Sequence, residues 1–407
     1  MVQKSIVLGI SGGIAAYKAA GLASLLVKQG FQVQTVMTKA ATEFITPLTL
    51  QALTKQPVYV DVLAEQDPTR ISHVAMADQA DAIIIAPATA DVIARIAHGL
   101  ADDMLTSILL VARCPVIVAP SMNVHMYEHP LVQKNLHVLR ELGYIIAEPD
   151  EGMLACGYVG KGRLLEPSDL AEILSFALSP KPLQGKKILV TAGPTKERID
   201  PVRYVTNDST GTMGYALARC AWKLGAHVTL LSGAVNLLPG IGIDVISVSS
   251  AIHLQEEVEK RIAEVDMFIM TAAVADYRPQ TTYDYKWKKT DDVDTVTWTM
   301  VRNPDILVSL KGKYKPGAYV IGFAAETHDV DRYARKKLVD KGVDLLVVNN
   351  VLEYGAGFGT GTNRVDLYFQ DGRTTALPLA SKMDVATMIL QQALVRMGLV
   401  DDEGMQA

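Results

Sequence analysis

A chain of 407 residues, 49% hydrophobic and 20% charged, can form about two to three domains with full-sized cores, so it needs no disulfides or structural metal to stay folded. A formal net charge of −5 argues against a broad nucleic-acid-binding surface, which would carry a basic excess, but is compatible with small anionic ligands held by a few amides or cations. The widely spaced Cys114, Cys156 and Cys220 suit neither a disulfide framework nor a zinc knuckle and fit a reducing cytoplasm.

The apolar start of the chain breaks at Ser11-Gly12-Gly13, too early for a signal sequence. No apolar run reaches the roughly 20 residues that span a bilayer, so a cytoplasmic protein without membrane association is expected. Short β-branched runs then alternate with helical periodicity. Ser5–Ile10, Gln32–Met37, Ala82–Ala86 and Pro115–Ala119 are expected as buried parallel strands, and Ala15–Gln29 and Asp91–Leu100 as helices. The alternation predicts a doubly wound sheet.

After a helix expected at Asp169–Leu178, the stretch Ser179–Gly185 carries Pro180, Pro182 and a terminal glycine and is the expected linker. This places two Rossmann-like α/β domains at residues 1–180 and 186–407. The second opens with a strand at Lys187–Thr191, Gly193 and a helix from about Gly211. Further strands are expected at Val228–Ser232, Met267–Thr271, Ala318–Phe323 and Leu345–Asn349.

In the first domain, Gly9-Ile-Ser-Gly-Gly-Ile-Ala-Ala-Tyr-Lys18 follows a strand and opens a helix, where backbone amides and the helix dipole suit a phosphate. The spacing is not G-x-G-x-x-G, and a plain strand-to-helix turn reads as well. A second loop, Ala86-Pro87-Ala88-Thr89-Ala90-Asp91, also joins a strand to a helix, so two loops are expected at one sheet edge. Ile71-Ser72-His73 is expected just ahead of a helix, and Pro120-Ser121-Met122-Asn123 follows a strand. Cys156 lies in the glycine-rich run Ala155-Cys-Gly-Tyr-Val-Gly-Lys-Gly-Arg-Leu164, beside Lys161 and Arg163, where a flexible loop can close over a ligand and keep the thiol accessible; taken singly, His73 also reads as a helix-end residue, Asn123 as a turn former and Cys156 as an inert cysteine.

In this order these motifs resemble the phosphopantothenoylcysteine decarboxylases, within the flavin-dependent cysteine decarboxylases, over about residues 1 to 180. The resemblance implies a flavodoxin-like flavoprotein domain that binds FMN at Ser11, Gly12, Gly13, Thr38, Pro87, Ala88, Thr89 and Ala90. It assigns His73 to oxidation and decarboxylation, Asn123 to the substrate carboxylate and Cys156 to protonation of an enethiol, with Arg163 on the substrate. Loss of CO2 from a cysteine carboxylate leaves a carbanion with no electron sink. Oxidation of the side chain to a thioaldehyde creates one, which is why such a site needs a redox cofactor.

The second domain inserts a long polar loop after its first strand, running through Asp200-Pro-Val-Arg-Tyr-Val-Thr-Asn207, before Ser209-Thr-Gly-Thr-Met-Gly214 offers hydroxyls and amides at a helix start. Thr271-Ala-Ala-Val-Ala-Asp276, Lys286-Trp-Lys-Lys289, Asn303-Pro-Asp-Ile306, Gly322-Phe-Ala-Ala-Glu-Thr327 and Lys337 with Lys341 follow. Together they resemble phosphopantothenate–cysteine ligase over about residues 186 to 400. The resemblance implies a nucleotide-binding domain that takes 4′-phosphopantothenate, cysteine and CTP, with Mg2+ on the phosphates and an acyl-cytidylate intermediate. It places CTP at Asp276, Lys286, Asn303, Pro304, Asp305, Ile306, Phe323, Lys337 and Lys341 and the phosphopantothenoyl group at Arg203 and Asn207, with Asn207 and Lys286 catalytic, while Ser209 and Gly211 of the phosphate cradle are expected among the substrate-binding residues. Trp287 interrupts the lysine cluster, so Lys288 and Lys289 stand as alternatives to Lys286.

A flavin prenyltransferase or peptidyl-cysteine decarboxylase would not need the second domain. A flavin-binding regulator would not need His73, Asn123 and Cys156, and a dehydrogenase would space its glycines differently. The resemblance further implies a homo-oligomer built from trimers of the first domain and dimers of the second.

Overall fold

The computed structural model describes residues 3–64, 70–153, 157–288, 295–326, 329–350, 355 and 359–401. The chain divides into two compact units, Met1–Ser179 and Pro180–Ala407. Among the described residues no helix is long and apolar enough to cross a membrane.

The first unit is built on β1 (Ser5–Ile10), β2 (Gln32–Met37), β3 (Val58–Tyr59), β4 (Ala82–Ala88), β5 (Val116–Pro120) and β6 (Ile145–Ile146), in the order β3-β2-β1-β4-β5-β6. Every ladder in it is parallel. All seven residues of β4 are buried, as a central strand covered on both faces requires. Helices Ala90–Ala97, Met104–Val111 and Pro130–Glu141 contribute to one apolar core with β4 and β5. Helices Tyr17–Lys28 and Pro167–Leu178 pack on each other, the first burying Leu22 and Leu26 and the second Leu170 and Leu174. An antiparallel hairpin, β7 (Asp150–Met153) and β8 (Val159–Arg163), follows the sheet.

Two expectations shift. The helix after β1 starts with a short 3-10 turn at Ile14–Ala16 and becomes regular only at Tyr17. His73 sits within the first turn of helix Ser72–Gln79, not ahead of it.

The second unit contains β9 (Lys187–Ala192), β10 (Lys196–Arg198), β11 (Tyr204–Thr206), β12 (His227–Ser232), β13 (Ile243–Ser247), β14 (Met267–Met270), β15 (Tyr277–Pro279), β16 (Met300–Arg302), β17 (Tyr319–Glu326), β18 (Leu345–Asn350), β19 (Thr362–Asn363), β20 (Asp366–Phe369), β21 (Thr374–Ala376) and β22 (Ala380–Ser381). Its main sheet has the order β13-β12-β9-β14-β17-β18-β20-β21. The first six strands are parallel, and β20 and β21 extend the sheet as an antiparallel edge. A short turn through Gly372 joins them, and so tight a connection can only make an antiparallel pair. The polar insertion after β9 folds into the β10–β11 hairpin.

Alternating strand residues separate two cores. Ile188, Val190 and Ile269 face helices Thr212–Lys223 and Lys382–Arg396, whereas Leu189, Phe268 and Met270 face Ala251–Glu259, Ile306–Ser309 and Val330–Lys341. In both sheets the chain winds one way from the first strand and the other way from its neighbour, so each has a switch point: β1/β4 in the first and β9/β14 in the second.

Candidate active site

The loops at the first switch point are tied together by one buried hydroxyl. Ser11 Oγ donates to the Pro87 carbonyl at 2.7 Å and accepts from the Thr89 amide at 2.9 Å. Thr38 continues β2 by donating its amide to Ile10 and capping the turn Lys39–Glu43. A Cβ on Gly12 would lie 2.5 Å from the Ala40 methyl, so only glycine lets these two loops touch. Ser11, Gly12, Gly13, Thr38 and Pro87–Ala90 thus gather at the carboxyl ends of β1, β2 and β4. Among the described residues the Gly12 and Gly13 amides donate no backbone hydrogen bond, which leaves them for an anion. The Thr89 hydroxyl caps helix Ala90–Ala97.

From that edge a run of hydrogen bonds reaches the remaining candidates. The Ser121 amide donates to Ala88 and the Met122 amide to Gly162 of β8, each at 3.0 Å. Asn123 caps helix Val124–Glu128 with its Oδ1 on the His125 amide. The His125 ring packs edge-on against Tyr158 of the hairpin, with centroids 5.0 Å apart. The segment around Asn123 is therefore joined to the hairpin whose connection contains Cys156. Cys156 itself lies outside the described residues.

His73 belongs to a helix packed against β1 and helix Met104–Val111, and its buried Nδ1 has no partner among the described residues. Arg163 is half-exposed and contacts Glu166 at 2.7 Å. Lys18, almost fully buried, holds the same carboxylate at 2.8 Å and the Leu164 carbonyl at 2.9 Å. The hydrogen bond from Lys18, helped by Arg163, keeps Glu166 below the usual carboxylate range.

At the second switch point lies a cleft of about 540 Å³. Its wall contains Asn207, Ser209, Gly211, Asp276, Asn303–Ile306, Phe323, Lys337 and Lys341, so these sequence candidates share one space. Gly214 brings helix Thr212–Lys223 against the strands, and no side chain caps this helix at Gly211. Asn303 is buried and donates to the Ala275 carbonyl at 2.8 Å, fixing its turn on the segment after β14. Lys337 pairs with Glu326 at 2.5 Å and Lys341 with Asp305 at 3.9 Å.

Arg203 and Lys286 are not on that wall. The Arg203 guanidinium is bound to buried Asp200 at 2.7 Å and donates to the Trp287 carbonyl, so it braces the lysine-rich segment. Burial pushes the Asp200 carboxyl up, but hydrogen bonds from the Val202, Arg203 and Trp287 amides and the Arg203 side chain outweigh it, holding the group at about 2. Of the alternatives to Lys286, Lys288 is described and is not on the wall either, while Lys289 lies outside the described residues.

Sequence reasoning passed over Asp200, Asn363 and Lys382. Asp200 stood inside a motif whose attention fell on Arg203. Asn363 and Lys382 are buried and line the cleft. For Lys382 one signal was available: a lysine right after a Ser N-cap opposes the helix dipole. Among the described residues no cluster of three or more His, Cys, Asp or Glu is arranged to hold a metal.

Comparison with known proteins gives two family matches. The flavoprotein family profile covers residues 1–178, and the DNA/pantothenate metabolism flavoprotein C-terminal domain covers residues 183–396. The chain is 50% identical over 394 residues to the coenzyme A biosynthesis bifunctional protein CoaBC of Bacillus subtilis (strain 168), spanning 96% of each chain. It is 49% identical over 398 residues to the protein of the same name from Vibrio vulnificus (strain YJ016), spanning 98% of this chain and 99% of the other. A crystal structure of the C-terminal domain of a CoaBC protein aligns with 42% identity and a TM-score of 0.46, covering 54% of this chain and 98% of that one.

Proposed function

Because the chain belongs to the CoaBC family of bifunctional coenzyme A biosynthesis proteins, and is thereby a phosphopantothenoylcysteine synthetase and decarboxylase with an FMN-binding flavoprotein domain, we propose the following division of work between its residues. Residues 186–407 make phosphopantothenoylcysteine, residues 1–180 decarboxylate it, and residues 179–185 link the two. The observation that carries this reading is that each sheet gathers its motif residues at its own switch point, where open α/β sheets bind ligands.

In the ligase half the nucleotide is CTP. The carboxylate of 4′-phosphopantothenate attacks the α-phosphorus and releases pyrophosphate, and the cysteine amine then attacks the acyl carbon and releases CMP. Asn303–Ile306, Asp276 and Phe323 seat the nucleotide, while Lys337 and Lys341 exchange their carboxylate partners for its phosphates. Asn207, Ser209 and Gly211 hold the phosphopantothenoyl group, and Arg203 positions the segment that carries Lys286. Mg2+ would enter with the triphosphate and offset its charge, with Asp208, Asp276 and Asp305 as the carboxylates of the cleft wall that would hold it.

In the decarboxylase half, Ser11–Gly13, Thr38 and Pro87–Ala90 hold FMN, with the Gly12 and Gly13 amides directed to its phosphate. Bound FMN supplies the reversible two-electron oxidation that turns the substrate side chain into an electron sink. His73, whose Nδ1 has no partner among the described residues, acts on the reacting cysteine moiety. Asn123 binds the carboxylate from the start of helix Val124–Glu128. Cys156 returns a proton as the enethiol is reduced, and Arg163 meets the substrate from β8.

The apolar Ile14, Tyr17, Phe44 and Leu48, exposed around the flavin loops, support an oligomer that covers this edge, with trimers of the first domain and dimers of the second. We place the enzyme in the cytoplasm. Purified protein should be yellow and, given phosphopantothenate, cysteine, Mg2+ and CTP, should form 4′-phosphopantetheine with release of pyrophosphate and CO2. Colourless protein, or ATP outperforming CTP, would overturn the corresponding part.

A further inference from the structure

Lys18 is a buried charge that neither reaction above uses. It stands in the first turn of helix Tyr17–Lys28, five residues after Gly13, and is only 9% exposed. Its ammonium donates to Glu166 Oε1 at 2.8 Å and to the Leu164 carbonyl at 2.9 Å. Arg163 Nη2 holds the same Glu166 oxygen at 2.7 Å. Glu166 is the N-cap of helix Pro167–Leu178, yet its side chain caps no amide there. A serine or an aspartate would suit an N-cap better, so the longer glutamate is explained by the two cations it reaches. A buried ion pair adds little net stability, because desolvation offsets the attraction; its best-attested use is to fix a register.

The register fixed here is that of β8 against the helix that follows the Ser11–Gly13 loop. β8 in turn lies hard against the segment after β5. A Cβ on Gly162 would sit 2.2 Å from the Met122 carbonyl oxygen, and one on Gly160 2.7 Å from Val124 Cγ2. The Gly162 carbonyl also accepts the Met122 amide at 3.0 Å. Asn123 is between these two points of contact and caps helix Val124–Glu128. The body of β8 therefore sets the place of Asn123, and its exit is held by Lys18.

We infer that Lys18 is a positioning residue of the decarboxylase. Through Glu166 it latches β8 to the helix after the Ser11–Gly13 loop, and so sets the separation between that loop and the substrate-binding Asn123 and Arg163. The inference rests on the decarboxylase reading above. Leu164 is buried and keeps this stretch of chain in place without the pair, so losing the latch displaces β8 and does not unfold it. A misplacement of about 1 Å lowers rates by about 100-fold.

The test uses full-length, FMN-loaded enzyme carrying Lys18→Met together with Glu166→Gln, which replaces the pair by neutral side chains of similar length. Melting temperature, flavin absorbance per protein and pyrophosphate release by the second unit should stay close to wild type. Hydrogen exchange in peptides covering residues 121–124 and 159–163 should speed up by about 10-fold, while β1 and β4 keep their rates. For CO2 release from supplied phosphopantothenoylcysteine, kcat/KM should fall by about 10- to 100-fold, chiefly through KM, because the displaced groups bind the substrate. Lys18→Arg, which keeps the pair, should restore most of it. Wild-type exchange in residues 121–124, or a loss of decarboxylation that merely follows lost flavin or a lowered melting temperature, would overturn the inference. If the double variant does not fold, Glu166→Gln alone decides, and a wild-type KM in it refutes the latch. Wild-type enzyme that releases no CO2 would refute the decarboxylase reading instead, and the exchange measurement would still judge the latch.

Discussion

Substituting Gly214 by alanine separates the two activities through a single methyl group. A Cβ there would lie 2.5 Å from the Ala192 methyl, 2.4 Å from Thr271 Oγ1 and 3.0 Å from the Thr191 carbonyl. Carbon atoms rest at about 3.5–4.0 Å, so helix Thr212–Lys223 must lift from β9 and β14 by about 1 Å. The strands cannot yield, because Thr191 and Ala192 are fully buried between their neighbours in a parallel sheet. Overpacking of this kind costs roughly 1–3 kcal/mol. The larger effect is positional. The lifted helix carries the Ser209–Met213 segment of the cleft with it, and a misplacement of about 1 Å lowers rates by about 100-fold. Pyrophosphate release from phosphopantothenate, CTP and cysteine should therefore fall about 100-fold. Meanwhile CO2 release from supplied phosphopantothenoylcysteine should stay at the wild-type rate. Unchanged ligation, or an equal fall in both reactions, would refute the reasoning.

Ser11→Ala removes the hydroxyl that joins the Ser11–Gly13 and Pro87–Ala90 loops and leaves the Thr89 amide without its acceptor, at a cost of about 1–3 kcal/mol. Flavin absorbance per protein after gel filtration should drop, and normal flavin content would contradict the assignment. His73→Asn should stop turnover before CO2 release, whereas Cys156→Ser should release CO2 and accumulate the oxidised product; normal formation of phosphopantetheine by either variant would count against its role. Lys286→Gln should abolish acyl-cytidylate formation, read as pyrophosphate release in the absence of cysteine, and an unchanged rate would point to Lys288 or Lys289. Asp200 has a folded pKa of about 2 against an ordinary 3.8, so its clamp on Arg203 and Trp287 is fully stabilising above the unfolded value. That contribution is lost as pH falls through the folded value. Tryptophan emission should report the loss between about pH 4 and pH 2, and a transition centred above about pH 5 would contradict it.

The central strands of both sheets could be read from the sequence because they are short, largely buried β-branched runs, whereas the outer strands β3, β6, β13, β20 and β21, shorter or partly exposed, could not. Gln32–Met37 and Ser5–Ile10 have the limits that their apolar pattern predicts. Helix Met104–Val111 escaped the reading because a nearly continuous apolar run has no periodicity to separate helix from strand, though Asp103 and Thr106 form its capping box. The meeting of the Ser11 and Pro87 loops also followed from sequence, since loops after adjacent parallel strands share an edge.

Local sequence could establish the central strands, the glycine loops and the family, since all three are properties of contiguous residues. Which side chains share a space is a property of distant ones, and that the tertiary structure decided. It placed Arg203 on Asp200 and off the cleft wall, and added an antiparallel edge to the second sheet. It also carried Lys382, some 170 residues beyond Gly211, into the same cleft. A lysine at a helix start looks like a solvated surface charge until the fold buries it, and burial depends on the whole chain.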